Sequence, residues 1–310
     1  MLDVVIPAHI KDIETLELCI EYIKENVIDV GEVFVISKDK LTDNAGWIPE
    51  NSFPFSLDDV SDIIGKHWRT CWYYQQILKL YACETQENLS DNYLVMDSDT
   101  IFLRPTKFID GDVAFFNTGK EYYPPYFEHM KKLVPGLDRQ TDKSGITHHM
   151  VFSKDILDSL KTGVKDIFGV PFWKAFLECT LGNFETIIGD QSHEGQGRAS
   201  EYEIYFNYCL SRYPDRIHVR KLNSILAYKE ELDEDSEYHT IGSRTNDDNH
   251  IRIMEEETPR FDNIQESFSY SINRCKELGY HSVTFQKHTR QGIEKYKEDS
   301  ENYIMESCDD

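Results

Sequence analysis

Apolar positions along this chain follow two rhythms, and the switches between them mark out its elements. Residues 2–6 are a short β-branched run closed by Pro7, which predicts a buried strand opening into a loop at its C-terminal end. Ile13, Leu16, Ile20, Ile23 and Val27 then recur at steps of three and four, the spacing of an amphipathic helix. Residues 32–36 predict a second strand, and strand, helix, strand in that order begins a parallel α/β sheet. Residues 37–62 are rich in Asp, Asn, Ser and Pro and predict a long loop, with a turn of helix near its end. Trp68, Cys71, Trp72, Leu78 and Ala82 predict a second helix, which carries Gln75, Gln76 and Lys79 and leads into the apolar run 93–96.

Further along, residues 113–116 and 146–152 predict strands, the second containing His148 and His149, with a Tyr/Pro-rich segment between them at 122–126. Side chains alternate across a strand, so the two histidines face opposite sides, one into the core and one free to line a pocket. Ser153 can cap the helix that follows. Residues 172–181 predict a helix and 189–198, which include Asp190, a polar flexible loop. From Ser200 the pattern is again helical: Tyr202, Tyr205, Phe206, Cys209, Leu210 and Tyr213 share one face, with Glu201 and Glu203 in the first turn. Acids in that position complement the helix dipole, whatever else they do. The segment 233–257 is acidic and poor in apolar residues, which places the main boundary there: a catalytic-size domain over 1–232 and a C-terminal extension over 233–310. The extension should pack on the core through a helix at 265–278, a strand at 282–286 and a helix at 290–303.

Composition narrows the class. With 310 residues, 40% of them hydrophobic and 13% aromatic, the chain can bury a large core. Its formal charge of −23 opposes nucleic acid or an anionic membrane surface as a partner. A phosphorylated substrate must then be received locally, and a bound cation does that better than a wall of Lys and Arg. Seven scattered cysteines without a Cys-x-x-Cys pair favour a reducing, cytoplasmic setting. The N-terminal apolar run is too short for a signal peptide or a membrane span.

The chemistry concentrates in residues 93–105, where four apolar residues deliver Asp97-Ser98-Asp99 into a turn and a second apolar run, 101–103, follows. Residues i and i+2 of an extended segment point the same way, so both carboxylates can approach one divalent cation. Hard oxygen ligands suit Mg²⁺ or Mn²⁺, which keep coordination positions open for substrate phosphates. Asp and Ser are also ordinary turn residues, so a plain polar turn fits the same letters.

The order of features adds a resemblance. A first strand ending in Val-Ile-Pro-Ala-His, a Gln-Gln-x-x-Lys helix, and a strand ending in Asp-Ser-Asp before Phe-Leu-Arg-Pro resemble the GT-A nucleotide-sugar glycosyltransferases, in particular poorly characterised ones of bacteria and large DNA viruses. The likeness spans about residues 1–230. It implies a three-layer α/β/α fold with a mixed sheet, Mn²⁺ or Mg²⁺ as cofactor, a nucleoside-diphosphate sugar as donor (UDP-sugar favoured) and a glycan or other hydroxyl as acceptor. By position, Asp97 and Ser98 would meet the donor, Asp97 and Asp99 the metal, and Pro7, Ala8 and His9 the base and ribose, where ligands of open α/β sheets gather. Gln76 and Lys79 would also serve the donor. Glu201 would be the catalytic carboxylate at the acceptor and Asp190 a second one. His148, His149 and Glu203 would line the acceptor pocket. His239 would complete the metal site and Arg244 would contact the diphosphate.

Two other readings stay open. Residues 95–100 also resemble the Asp-x-Asp-x-Thr opening of haloacid dehalogenase-like phosphatases, in which Asp97 would be the nucleophile and Asp99 the acid/base. Against it, about 90 residues with their own strand-helix-strand start come first. A non-catalytic sugar-nucleotide-binding protein on the same fold is the third.

Overall fold

The computed structural model describes residues 1–66, 69–182, 198–231, 237–245 and 264–286. In chain order its strands and helices are β1 (Leu2–Pro7), α1 (Ile13–Asn26), β2 (Val30–Ser37), β3 (Gly46–Pro49), α2 (Leu57–Ile64), α3 (Thr70–Thr85), β4 (Asn92–Met96), β5 (Thr100–Phe102), β6 (Ile109–Asp110) and β7 (Val113–Asn117). They continue with α4 (Pro124–Leu133), β8 (His149–Ser153), α5 (Lys154–Phe168), α6 (Phe172–Glu178), α7 (Glu201–Arg212), β9 (Ile217–Arg220), β10 (Ser224–Glu231), β11 (Glu237–Thr245), α8 (Ile264–Glu277) and β12 (Ser282–Gln286). Among the described residues, no helix is long and apolar enough to cross a membrane.

The fold is mixed α/β. Its central sheet has the order β3-β2-β1-β4-β8, parallel through β4 and antiparallel at β8. Every residue of β1 is buried, as expected of a parallel strand covered on both faces. The apolar face of α1, through Leu16, Cys19, Ile20 and Ile23, joins the main core. Helices α2, α3, α5, α6 and α7 pack on one another, and α3 also lies against β1. Since β1 connects through α1 to β2 on one side and pairs with β4 on the other, the sheet's topological switch point lies between β1 and β4. Pro7 and Met96 end these two strands at the same edge, where a ligand crevice belongs.

Two smaller sheets flank this one. The first runs β11-β10-β12-β5 and the second β6-β7-β9. Strand β12 is antiparallel to β5 and parallel to β10, so late residues are built in directly behind the Asp-Ser-Asp turn. Ile101, Leu103, Ile225, Phe268, Ile272, Val283 and Phe285 form a second apolar cluster there, against which Leu18 and Tyr22 pack.

Local chemistry explains where the elements depart from expectation. The predicted loop at 37–62 contains β3 and a full helix, α2, whose start is secured by a capping box: Ser56 accepts from the Asp59 N–H while the Asp59 carboxylate accepts from the Ser56 backbone. The Tyr/Pro segment opens α4, because proline at the first helical position loses no hydrogen bond there. Helix α6 stops at Glu178, short of the predicted 181. Ser153 precedes α5 without capping it; its hydroxyl donates to Asn92 Oδ1 across the β4–β8 pair instead. Trp68, the loop at 189–197 and the predicted helix at 290–303 lie outside the described residues.

Candidate active site

Helix α3 presents Gln76 and Lys79 on one face, three residues apart, toward the start of α7 and the end of β4. Both side chains are buried, at 1% and 3% exposure. The Gln76 amide oxygen accepts from the Glu201 backbone N–H at 3.0 Å, one of the donors that a helix start leaves unsatisfied. Ser200 caps the same helix by accepting from the Glu203 N–H.

One turn further along α3, Lys79 Nζ lies 2.6 Å from Asp97 Oδ1 and 2.8 Å from Glu201 Oε1. It also stands 4.5 Å from the centre of the Tyr202 ring. A buried ammonium survives only with such compensation. Burial alone would lower its pKa, but Asp97 and Glu201 outweigh that and raise it well above the usual lysine value. Lys79 is therefore a fixed positive charge joining the end of β4 to the start of α7.

Asp97 uses both oxygens. Oδ1 receives Lys79 and has the Tyr202 hydroxyl at 3.5 Å, while His148 Nδ1 is 3.1 Å from Oδ2. Burial pushes its carboxyl up, yet Lys79 and then His148 pull it well below the usual carboxylate range. Asp99 differs. Its Oδ1 is buried with no hydrogen-bond partner among the described residues. Burial first, and then the negative charge of Asp97, push its carboxyl up to about 7. Its backbone carbonyl accepts from the Phe285 N–H at 2.8 Å, so β12 fixes the turn from behind.

Other expected residues fall near this centre or away from it. Pro7 and Ala8 are buried at the end of β1, and Ala8 N–H donates to Ile36 O. His9 is exposed, and its Nδ1 accepts from the Lys11 N–H, capping the short turn Ile10–Asp12. Asp12, in that turn, adds negative charge near Asp99. Ser98 is buried between the two acids.

The histidine pair divides. His148 sits at the Asp97 carboxylate, while His149 is 2% exposed and turned into the core, its Nε2 2.6 Å from Asn117 Nδ2. Asn117 Oδ1 accepts from Arg220 Nε, so its Nδ2 must donate, and His149 Nε2 is the unprotonated nitrogen. His149 thus belongs to the interior rather than to an acceptor pocket. Glu203 is likewise interior, 1% exposed, accepting from Ser144 Oγ at 2.5 Å and from Asn207 Nδ2 at 3.2 Å. Both side chains are buried among packed neighbours.

Asp190 lies outside the described residues, as do the side chains of His239 and Arg244; the backbone of those two is part of β11, in the sheet that contains β5. Among the described residues no group of three or more His, Cys, Asp and Glu side chains stands ready to hold a metal. The sequence reading missed Tyr202 and the grip of His148 on Asp97. Tyr202 lies between two candidate acids but reads as a core aromatic, and only its place over Lys79 gives it a second role.

These elements define an α/β protein with a charged, half-buried cluster of side chains at the switch point of its sheet. The chain belongs to the family of unknown function DUF6492, whose model matches residues 5–275. No curated protein matches the sequence. Among solved structures, apo mouse xyloside xylosyltransferase 1 is similar at 10% identity and TM-score 0.38, over 73% of this chain and 87% of that one. A glycosyltransferase involved in glycosylation of the PBCV-1 major capsid is similar at 10% identity and TM-score 0.37, over 96% and 99%. The galactosyltransferase LgtC, in complex with donor and acceptor sugar analogues, follows at 11% identity and TM-score 0.31, over 73% and 76%. Likeness at this distance leaves the chemistry to the chain's own residues.

Proposed function

We propose that this protein is a metal-dependent glycosyltransferase of the GT-A type, transferring a sugar from a nucleoside diphosphate, UDP in first place, to a hydroxyl of a saccharide or other acceptor. The observation that carries the reading is the Asp-Ser-Asp turn at the sheet's switch point, with a buried Asp99 oxygen that has no partner among the described residues beside an Asp97 that is already engaged. An unpaired buried carboxylate oxygen is costly, and a hard divalent cation is the partner it suits. Asp99 would hold Mn²⁺ or Mg²⁺, with Asp97 beside it and His239 of β11 as a further ligand. The cation would act as a Lewis acid on the departing diphosphate.

The chain's own groups do the rest. Lys79 and His148 hold Asp97 at one orientation, where it can receive the donor ribose next to Pro7, Ala8 and His9. In transfer, the acceptor oxygen forms a bond to the anomeric carbon as the bond from that carbon to the diphosphate oxygen breaks. Glu201, held by Lys79 at its carboxylate and by Gln76 at its backbone N–H, would take the acceptor proton in an inverting reaction; in a retaining one it would orient the sugar. Asp190 would add an acceptor contact and Arg244 a diphosphate contact. A reducing, cytoplasmic setting accords with the cysteine pattern.

The phosphatase alternative is weaker. A phosphoryl nucleophile of the haloacid dehalogenase-like family stands on the first strand of its core, whereas Asp97 follows β4, after about 90 residues with their own strand-helix-strand start.

The test is thermal unfolding with Mn²⁺ and UDP, GDP or a phosphomonoester, since a ligand that binds the folded state raises Tm by mass action. The expected outcome is a Tm increase that needs both metal and one nucleoside diphosphate and disappears in Asp99→Ala without loss of the fold. Turnover of p-nitrophenyl phosphate that vanishes in Asp97→Asn would refute the transferase.

A further inference from the structure

His148 has a backbone φ of 61°, one of two non-glycine residues in the left-handed region among the described residues. A side chain with a Cβ pays about 1–3 kcal/mol to stay there, and glycine pays little. The conformation ends β8 at His149 and lets a single residue grip Asp97 twice. The His148 carbonyl accepts the Asp97 N–H at 2.9 Å, and its Nδ1 meets Asp97 Oδ2 at 3.1 Å. The side chain is 23% exposed, so part of the ring reaches solvent. Lys79 and Tyr202 approach the other oxygen, which leaves the Asp97 carboxylate clamped from both sides.

We propose that His148 is a positioning residue for the donor end of the site: its strained backbone and its imidazole fix the Asp97 carboxylate against Lys79, so that Asp97 meets the sugar nucleotide at one orientation and Asp99 is left for the cation. This rests on the transferase reading above. A merely structural residue at this φ would be stabilised by replacement with glycine and nothing else would change. A positioning residue gives up stability for geometry, and the two effects separate in the same variant.

The experiment compares wild type, His148→Gly and His148→Asn by thermal unfolding and by calorimetric titration with UDP in Mn²⁺. In His148→Gly, relief of the strained φ offsets the lost Asp97 partner, so Tm should change little, yet the variant should bind UDP about tenfold more weakly or worse, the size of effect seen when an outer partner of a ligating group is removed. Asparagine tolerates left-handed φ and places an amide nitrogen near the Nδ1 position, so His148→Asn should recover most of the loss. Wild-type affinity in His148→Gly overturns the proposal. So does a Tm that falls in step with affinity, or His148→Asn binding no better than His148→Gly, which would assign the imidazole to direct substrate contact. Wild-type protein that binds no nucleoside diphosphate at all would instead overturn the transferase reading on which the proposal stands.

Discussion

Lys79 carries most of the site's electrostatics on one nitrogen, because it is the shared countercharge of two carboxylates contributed by different elements. Removing one partner of a buried ionic cluster costs more than the cluster contributes, since the remaining charges stay buried and unpaired. Lys79→Met is therefore expected to lower unfolding free energy by about 3–5 kcal/mol in urea titrations. Pairing it with Glu201→Gln should restore part of that loss, by removing one of the stranded charges. Lys79→Arg should rescue poorly, as a planar fork does not fit a site shaped for three donors around a point. The sequence made Lys79 and Gln76 legible because helical spacing puts them on one face, and Asp97 and Asp99 legible because an apolar strand ends at them. The grip of His148 was hidden, since it depends on a left-handed residue that no local pattern announces. Asp190 rests on its place in a polar loop, and His239 and Arg244 on a family order; neither ground gives a side-chain contact.

At the scale of elements, the site depends on how closely the start of α7 can approach the segment before β8. Gly145 makes that approach possible. A Cβ there would lie 2.5 Å from Phe206 Cβ, 2.8 Å from Phe206 Cγ and 3.1 Å from the Tyr202 carbonyl oxygen. Gly145→Ala must push α7 outward, and with it Glu201 and Tyr202. The expected cost is about 1–3 kcal/mol, the usual range for overpacking, accompanied by weaker nucleotide binding in calorimetry. Elements with strong periodicity, such as α1, β1 and α7, were legible in the sequence for the same reason that they form: one face or both faces must be buried. Helix α4 was not, and α2 was legible only as a turn of helix at the end of a loop. The cap of α2 uses Asp59 where the common signal is Glu or Gln, and α4 begins with two prolines, which read as a break unless they sit at a helix start.

For the whole molecule, buried titratable groups set the response to acid. Burial lowers the pKa of His129 to about 4 and that of His149 to about 3, so both are neutral in the fold and protonate readily once unfolded. Their stabilising effect is complete above the unfolded value near 6.5 and is lost as pH falls toward the folded values. Glu203 runs the other way. Burial raises its carboxyl to about 6, so its contribution is full below about 4.5 and lost as pH rises through 6. Between pH 7.5 and 5 each histidine removes about 2 kcal/mol, while Glu203 returns about 1 kcal/mol and Asp99, whose carboxyl is raised to about 7, returns about 2 kcal/mol, so the opposing effects largely offset and the histidine effect is read by difference. Urea titrations at the two pH values should show the pH response of His129→Leu differ from that of wild type by about 2 kcal/mol. Strand order was the part of the fold least open to sequence, because pairing joins segments that share no local signal: β12 beside β5 is the clearest case. That pairing also fixes when the Asp-Ser-Asp turn gains its backing strand. Thr100 and Thr284 meet at 2.9 Å although 184 residues separate them in the chain. A nascent chain thus carries its Asp-Ser-Asp letters long before the strand that backs them exists, and long-range closure of this kind is slow. The turn is backed only once β12 has been made, so a chain cut before residue 282 would hold the motif without its support.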